Sequence, residues 1–416
     1  MEIRNSLFLI MLVMALISLA CSEASKSIPV DHASFFDGPF EDGPSVTRAC
    51  LKCHEAEAHE VMATVHWKWE GDEVKIPGSE KRARIGKKNL INNFCTGVSS
   101  NWQACTSCHA GYGWKDESFD FTDPQVVDCL ICHDNSGTYL KKPKGGGQVD
   151  DSVDLLAVAR SVGRPTRANC GRCHFNGGGG NAVKHGDLDN TMLFPDENVD
   201  VHMGRMGFEC TECHQTKDHV ISGRSMSVSV DDTSRVTCTQ CHEGQPHSDS
   251  RINDHMTRLA CQTCHIPFMA VEEPTKMTWD WSKAGDDSRA GEDHHTYMKI
   301  KGEFAYEDKV APEYYWYNGT TRRYMLGDRI NPDETTVVAG PNGDRADETA
   351  MIWPFKVHRG KQVFDKVHRY FHVANLHETD GKQGFWDEFD WDLALKNGAK
   401  STGLEYSGKY GFAPTE

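Results

Sequence analysis

Long hydrophobic runs are scarce in this chain of 416 residues. The longest spans Leu7 to Ala20, and Arg4 precedes it. A run of about 14 residues is too short for a typical membrane-spanning helix, and with a positive residue in front it is typical of an export signal. The sequence therefore predicts a signal peptide at residues 1–24 and a mature chain that is soluble or tethered only by its N-terminus.

Cys21 follows the apolar run directly and leaves two alternatives for the N-terminus. One is a lipid anchor on Cys21, although Ser18 stands where an aliphatic residue is usual in such signals. The other is ordinary cleavage between Ala20 and Ala24. Both alternatives predict export to the periplasm.

Positive charge is also in short supply, because 45 Lys and Arg stand against 61 Asp and Glu, for a net charge of −16. This balance argues against nucleic acid and anionic membrane surfaces as partners. An anionic substrate would need a local basic patch, and each of two basic stretches is either such a patch or a solvated face. They are Lys81, Arg82, Arg84, Lys87 and Lys88, and Lys141, Lys142 and Lys144.

Cysteine, by contrast, is abundant, and fourteen of the sixteen cysteines form seven copies of Cys-x-x-Cys-His. At this composition chance would give about 0.03 copies of the pattern. The copies are Cys50/Cys53/His54, Cys105/Cys108/His109, Cys129/Cys132/His133, Cys170/Cys173/His174, Cys210/Cys213/His214, Cys238/Cys241/His242 and Cys261/Cys264/His265.

This pattern is the attachment signature of c-type haem. The two thiols form thioethers with the haem, and the adjacent His binds the iron as proximal ligand. Zinc sites and disulfides also use paired cysteines, but they do not require a His directly after the second Cys in every copy. The sequence therefore predicts seven covalently bound haem c groups.

The spacing of the motifs predicts the architecture. They lie between Cys50 and His265, roughly 31 residues for each haem, so the haems must pack against one another and supply much of the buried apolar surface. We expect a mainly α fold with extensive loops, with a multihaem cytochrome c domain at 25–267. Residues 268–416 should form a C-terminal wrapping region with some β structure, a helix from Val357 to His377, and further axial His ligands.

Fourteen His lie outside the motifs and are candidates for the second axial position of each iron. Three of them, His59, His219 and His247, each lie five residues after a motif His. That separation is too short to reach the far side of the same haem, so each is predicted to bind a neighbouring iron or to be an ordinary surface His. The next candidates are His66, His202 and His255, while His32 is open between the two roles.

Several longer phrases make this chain resemble the octahaem c-type cytochromes of the tetrathionate reductase family. The resemblance runs from about Pro44 to Trp281. It rests on Asn89 to Thr96, on Cys105 to His109 with Tyr112 to Asp116, on Cys129 to Asp134 with Gly137 to Tyr139, on Asn169 to Phe175, on Lys184 to Leu188, and on Cys261 to Pro267.

The resemblance implies a catalytic haem with a Lys as its distal ligand. It assigns that role to the second haem, held by Cys105, Cys108 and His109, and places the Lys after Tyr139. Lys141 is the first choice and Lys142 the second. The family is named for eight haems, whereas this chain has seven motifs and no further Cys-His pair.

Cys95 lies ten residues before the second motif and outside every motif. It is either a buried apolar Cys or an active-site thiol that exchanges with a sulfur substrate. Taken together, these features predict a periplasmic reductase of small inorganic oxyanions, with tetrathionate to thiosulfate as the first reaction and nitrite or hydroxylamine as others. Its electron donor would be a periplasmic or membrane-bound cytochrome or quinol dehydrogenase. The alternative is an electron carrier in which every iron has two His ligands.

Overall fold

The structure is a computed structural model that describes residues 31–92, 94–226, 228–230, 234–289, 291–378 and 383–416. The signal peptide and Cys21 lie outside the described residues. None of the helices in these ranges is long and apolar enough to cross a membrane.

Short helices dominate the part of the chain that carries the motifs. The α-helices are Gly43–Cys50, Glu55–Met62, Trp102–Cys105, Leu130–His133, Leu155–Arg160, Arg167–His174, Cys210–Cys213, Ser250–His255 and Cys261–His265, followed by Phe385–Glu388 and Trp391–Thr402 near the C-terminus. The 3-10 turns are His32–Phe35, Thr106–Cys108, Pro124–Val126, Asn190–Leu193, Cys238–Gln240 and Trp281–Lys283, and Val201–Arg205 is a π-helical turn.

Strands are concentrated after residue 274. They are β1 Glu70–Lys75, β2 Arg82–Gly86, β3 Thr216–Lys217, β4 Val220–Ile221, β5 Thr275–Asp280, β6 Tyr297–Met298, β7 Gly302–Glu307, β8 Glu313–Tyr317, β9 Thr321–Arg323, β10 Ala339–Pro341, β11 Met351–Phe355, β12 Arg359–Asp365, β13 Tyr370–Phe371 and β14 Tyr410–Thr415. Helix makes up 25% and strand 19%, so the extensive loops and the C-terminal β structure are as expected, whereas the fold is less helical than the sequence predicts.

A six-stranded sheet organises the C-terminal region. Its order is β13-β12-β5-β7-β6, with β14 also paired to β12, and β12 runs parallel to β5 and antiparallel to β14. The predicted helix from Val357 to His377 is therefore wrong, because this segment forms β12 and β13. Its residues Gln362 to Asp365 form a run of four buried positions in a central strand, which hydrogen bonding across the sheet favours over a helix.

The sheet region packs directly on the loop that precedes the second motif. Trp281 Nε1 donates to the Phe94 carbonyl at 3.2 Å, and Gln362 Nε2 donates to the Asn92 carbonyl at 2.6 Å. Asn101 Nδ2 reaches across to the Ala374 carbonyl at 2.8 Å. These long-range bonds fix the loop at 92–101 against the sheet and so determine which side chains surround Cys95.

Candidate haem centres and active site

The motifs adopt single helical turns, and this is what aligns their three ligand groups. The amide of the motif His donates to the carbonyl of the first Cys at 2.9 Å in His54 and His242 and at 3.1 Å in His133. Positions i, i+3 and i+4 lie on one face of such a turn. The two thiols and the imidazole therefore point to the same side, as attachment to one haem requires.

Five motif histidines face a second imidazole at a common separation. Metal–imidazole bonds are about 2 Å long, so two rings on opposite sides of one iron have their centres roughly 6 Å apart. The observed ring-centre separations are His54–His32 6.2 Å, His174–His66 6.2 Å, His133–His219 6.4 Å, His242–His202 6.1 Å and His265–His247 5.8 Å.

Hydrogen bonds to Nδ1 orient two of these rings and the ring of the motif residue His214, and leave Nε2 available for iron. His133 Nδ1 donates to the Gly163 carbonyl at 2.8 Å, and His214 Nδ1 donates to the Ser222 carbonyl at 2.8 Å. His219 Nδ1 lies 2.8 Å from a carboxylate oxygen of Glu60. Such partners fix the tautomer and increase the basicity of a metal-binding imidazole.

Thiols of different motifs also approach one another. Hydrogen-bond contacts join Cys50 to Cys129, Cys108 to Cys173, Cys170 to Cys210 and Cys238 to Cys261. The motifs are thus neighbours in space, in agreement with closely packed haems. The paired imidazoles, the free thiols and the shared orientation within each motif fit covalently attached haem c.

Most of the predicted haem-binding thiols depart from the packed interior that the sequence led us to expect. Eight of the fourteen motif cysteines are exposed, and the other six are half-buried. The exposed ones are Cys53, Cys105, Cys108, Cys132, Cys213, Cys238, Cys241 and Cys264. A thioether needs its sulfur on an open side that a macrocycle can reach, so exposure is compatible with attachment. The haem-binding role of the motif cysteines stays a prediction from their motifs.

The structure does not bring every candidate His to a motif. His59 and His255 are exposed, and neither ring faces a motif imidazole among the described residues. In the C-terminal region, His358 stacks on Phe94 at 4.2 Å and donates through Nε2 to the Lys184 carbonyl. His368 stacks on Tyr370. His358 and His368 thus have contacts of their own, and the axial role of the His in the wrapping region stays a prediction.

His109 of the second motif has different surroundings from the five paired histidines. Trp67 and Trp114 pack on its ring at centroid distances of 4.8 Å each, and Phe119 lies at 5.4 Å. Burial lowers the pKa of His109 to about 4, so the ring is neutral, as an iron ligand must be. Its Nε2 donates to the Trp67 carbonyl at 2.8 Å, and iron binding through Nε2 requires this bond to break. No second imidazole faces it among the described residues.

Lys141 and Lys142 both lie beside carboxylates. Lys141 Nζ lies 3.0 Å from Asp128 Oδ2 and 2.7 Å from the backbone carbonyl of His109. The Lys142 amine is exposed and pairs with Asp151 at 2.6 Å. Both amines are thus engaged by carboxylates, and the Lys141 amine also contacts the backbone of His109, so neither points freely to a haem iron. This placement does not favour Lys141 or Lys142 as the distal ligand.

A different lysine pair lies beside Cys95, and the sequence reasoning missed its role. The amines of Lys184 and Lys87 both donate to Asn92 Oδ1, at 3.4 Å and 3.2 Å. Among the described residues neither amine has a carboxylate within 4 Å. Burial lowers the pKa of both lysines, and for Lys184 well below its ordinary value. The sequence contained one indication of this role, because Lys184 is the first residue of the phrase Lys184 to Leu188, which the chain shares with the family.

Cys95 is half-buried near this lysine pair. It packs against the apolar cluster that includes Phe94, Trp279 and Trp281. Burial raises the pKa of its thiol, while Lys301, Lys276 and Lys184 act in the opposite direction. Lys87 and Cys95 also act electrostatically on Cys105 of the second motif. The thiol is therefore protonated at rest and lies in a positive environment near the second haem-attachment site.

The first basic stretch predicted from sequence is mostly neutralised at the surface. Lys81 pairs with Asp328 at 2.9 Å, Arg82 with Glu73 at 2.9 Å, and Lys88 with Glu70 at 3.2 Å. These side chains are exposed, so the solvated-face interpretation describes them. Lys87 is the exception in this stretch, because its amine donates to Asn92 Oδ1 near Cys95.

The chain is similar to known cytochromes in both sequence and structure. The family model for bacterial cytochrome c matches residues 276–416, a part of the chain without a motif. The chain is similar to the octahaem cytochrome c from Shewanella oneidensis, with 49% identity and a TM-score of 0.86 over 93% of this chain and 88% of that one. It is also 22% identical over 253 residues to an uncharacterized protein of Archaeoglobus fulgidus. The matched region covers 49% of this chain and 84% of that protein.

Proposed function

This chain belongs to the family of multihaem c-type cytochromes, and on that premise we propose that it is a periplasmic reductase of small inorganic oxyanions. The reaction we assign to it is tetrathionate to thiosulfate, with nitrite and hydroxylamine as further substrates. The donor we propose is a periplasmic or membrane-bound cytochrome or quinol dehydrogenase. Haem, when attached, supplies the electrons and the iron at which the substrate is reduced.

The observation that carries this proposal is the site formed by Lys184, Asn92 and Cys95. Lys184 is an enclosed amine without a carboxylate partner among the described residues, and it is held by Asn92 Oδ1 at 3.4 Å. A neutral amine is a replaceable iron ligand, and burial favours the neutral form. We therefore propose Lys184, in place of Lys141 or Lys142, as the amine that occupies or guards the distal position of the second haem.

The chemistry of a sulfur substrate follows from the thiol. The Cys95 thiolate attacks one sulfur of the central bond of tetrathionate, which releases one thiosulfate and leaves a Cys95 mixed disulfide that carries the other half. Two electrons then return the thiolate and release the second thiosulfate. Burial lowers the pKa of Lys276 to about 7, so a neutral fraction of this amine is present near pH 7 to take the thiol proton.

The alternative function is electron transfer without catalysis. The five imidazole pairs favour it for five of the haems, because an iron with two His ligands has no position for a substrate. The two functions differ at the second haem. A reductase should show a spectral change of one haem when an anion or a small ligand is added to the oxidised protein, and a pure carrier should show none.

Substitution of Lys184 provides the first test. Lys184→Leu should lower tetrathionate turnover at least roughly a hundredfold, because the amine acts at the reacting centre, while the haem content by pyridine haemochromogen assay stays that of the wild type. The spectrum of the oxidised protein should change for one haem only.

Lys142→Leu is the matched control, since its amine is exposed and paired with Asp151, and we expect wild-type turnover. Lys141→Leu removes the counter-ion of the buried Asp128 and should lower the stability of the protein more than it changes the spectrum. Full activity in Lys184→Leu, together with a one-haem spectral change in Lys141→Leu, would return the ligand role to Lys141.

A further inference from the structure

A buried ion pair joins the second and third haem motifs. Asp128 directly precedes Cys129 of the third motif, and its Oδ2 atom lies 3.0 Å from Lys141 Nζ, with side chains 0% and 6% exposed. The Asp128 carboxylate also accepts from the Ile131 amide of the third motif at 3.0 Å. On the other side, the Lys141 amine donates to the carbonyl of His109 in the second motif at 2.7 Å. Each partner of the pair therefore contacts one motif.

The hydrogen bonds around the two side chains indicate their charges. Asp128 Oδ1 accepts from the Tyr112 hydroxyl at 2.8 Å, and Oδ2 accepts from the Tyr139 hydroxyl at 2.8 Å. Together with the amide and the amine described above, these make four donors, which fill the acceptor positions of an ionised carboxylate. The Lys141 amine has three acceptors, because the Gly111 carbonyl also lies 3.4 Å from it. Three donors are what an ammonium group provides.

Holding the two motifs together does not by itself require these charges. Asp128 N donates to the Ala110 carbonyl at 2.9 Å, and Gly111 pairs with Val127 as an isolated β-bridge, so backbone bonds already join the segments. Apolar side chains of similar volume often replace a buried ion pair without loss of stability. Fixed charges in a poorly solvated place do act on a nearby iron, because positive charge favours its ferrous state and negative charge its ferric state.

We propose that Asp128 and Lys141 are positioning residues that set the reduction potential of the second haem. Lys141 places its charge against the backbone of His109, and Asp128 holds the amine there and balances that charge. Loss of either partner exposes the charge of the other. This inference requires a haem at the second motif but not the proposed substrate, so it goes beyond the assignment of tetrathionate.

Shifts of opposite sign in one reduction potential test this role. Lys141→Met leaves the Asp128 carboxylate unbalanced and should lower the potential of the second haem, whereas Asp128→Asn leaves the ammonium group unbalanced and should raise it. Redox titration of the holoprotein, followed by electron paramagnetic resonance, measures these potentials without substrate or turnover. The second haem is expected to give its own signal, because no second imidazole faces His109 in the part of the chain that the structure describes.

Three further variants separate charge from packing. Lys142→Met is the matched control, because the neighbouring amine is exposed and pairs with Asp151, and every haem should keep its wild-type potential. Lys141→Arg keeps the positive charge and should stay near the wild type. The double variant Lys141→Met with Asp128→Asn removes both charges and should return the potential towards that of the wild type.

Lost packing would not reverse sign between two variants. Shifts in the same direction in Lys141→Met and Asp128→Asn, no shift in either, or a shift spread over all the haems would therefore overturn the proposal. If Lys141→Met does not take up its full haem content, an unchanged or lowered potential in Asp128→Asn would overturn it. Opposite shifts in a protein that does not reduce tetrathionate would overturn the proposed reaction and support the role of this ion pair.

Discussion

At Cys95 two opposing effects act on one thiol. Burial, the larger effect, raises its pKa, and the nearby lysines lower it. The residue also contributes to the apolar packing around Trp279 and Trp281. The two interpretations of the sequence, a packed Cys and a reactive thiol, therefore describe the same side chain, and only a substitution that keeps its size separates them.

Cys95→Ser should lower tetrathionate turnover at least roughly tenfold and leave nitrite turnover near that of the wild type. The hydroxyl keeps the approximate shape of the thiol but cannot exchange with a sulfur–sulfur bond. Steady-state kinetics with both substrates on the same preparation measure the effect. An equal loss on both substrates would indicate that Cys95 acts only through packing.

Also at the scale of single residues, the sequence predicts the haem-binding groups more fully than the amine proposed for the active site. A motif His and its two Cys are read directly from adjacent positions. Lys184 begins a phrase shared with the family, but its approach to Asn92 and Lys87 arises only in the fold. Its proposed role depends on burial, which the sequence does not display.

At the scale of elements, the C-terminal helix Trp391–Thr402 determines how the sheet region closes over the loop at 92–101. Asn375 N donates to the Ala394 carbonyl at 3.0 Å, so the helix lies directly on the segment that follows β13. Gly398 allows this close approach, because a Cβ at that position would lie 1.7 Å from the Val373 carbonyl oxygen.

Gly398→Ala should therefore destabilise the protein, by roughly 1–3 kcal/mol from overpacking, although Ala is the better helix former by about 1 kcal/mol. Chemical denaturation of the holoprotein followed by circular dichroism measures the change. Ser401→Ala on the exposed part of the same helix is the control, with an expected change within about 0.5 kcal/mol. A stabilised Gly398→Ala protein would show that the helix can move away from Val373.

The elements also show where local pattern reasoning fails. Residues Asp151 to Arg160 have the apolar spacing of a short amphipathic helix, and Leu155–Arg160 is one. Asn318-Gly319 is by itself a hairpin-turn signal, and β8 and β9 flank it. They pair with β11 and β10 and not with each other, because strand partners distant in sequence compete with the local hairpin.

At the scale of the whole molecule, the number of haems is the property most open to measurement. The mass of the denatured mature protein should exceed that of its polypeptide by seven haem masses, because seven motifs supply two thiols each and each haem forms two thioethers. Electrospray mass spectrometry gives this number directly. A mass increase of eight haems would require an attachment site outside the seven motifs, and six would leave one motif unused.

The arrangement of the motifs also explains why distant parts of the chain must fold together. His66 lies between the first two motifs yet faces His174 of the fourth, and His219 follows the fifth motif yet faces His133 of the third. An iron held by each pair would join segments that are far apart in sequence. Haem attachment and folding are therefore expected to be coupled, as metal binding and folding commonly are.

The sequence by itself determined the chemistry of attachment, because its seven motifs each carry two thiols and a His and mark the chain as a c-type cytochrome. These features are local, because one helical turn is enough to align two thiols and an imidazole. The tertiary structure decided which second imidazole faces five of the motifs, that Lys141 pairs with Asp128, and that Lys87 and Lys184 share Asn92 near Cys95. Those outcomes depend on chain segments brought together across tens to hundreds of residues, and on the burial of charge, which arises only when the segments pack.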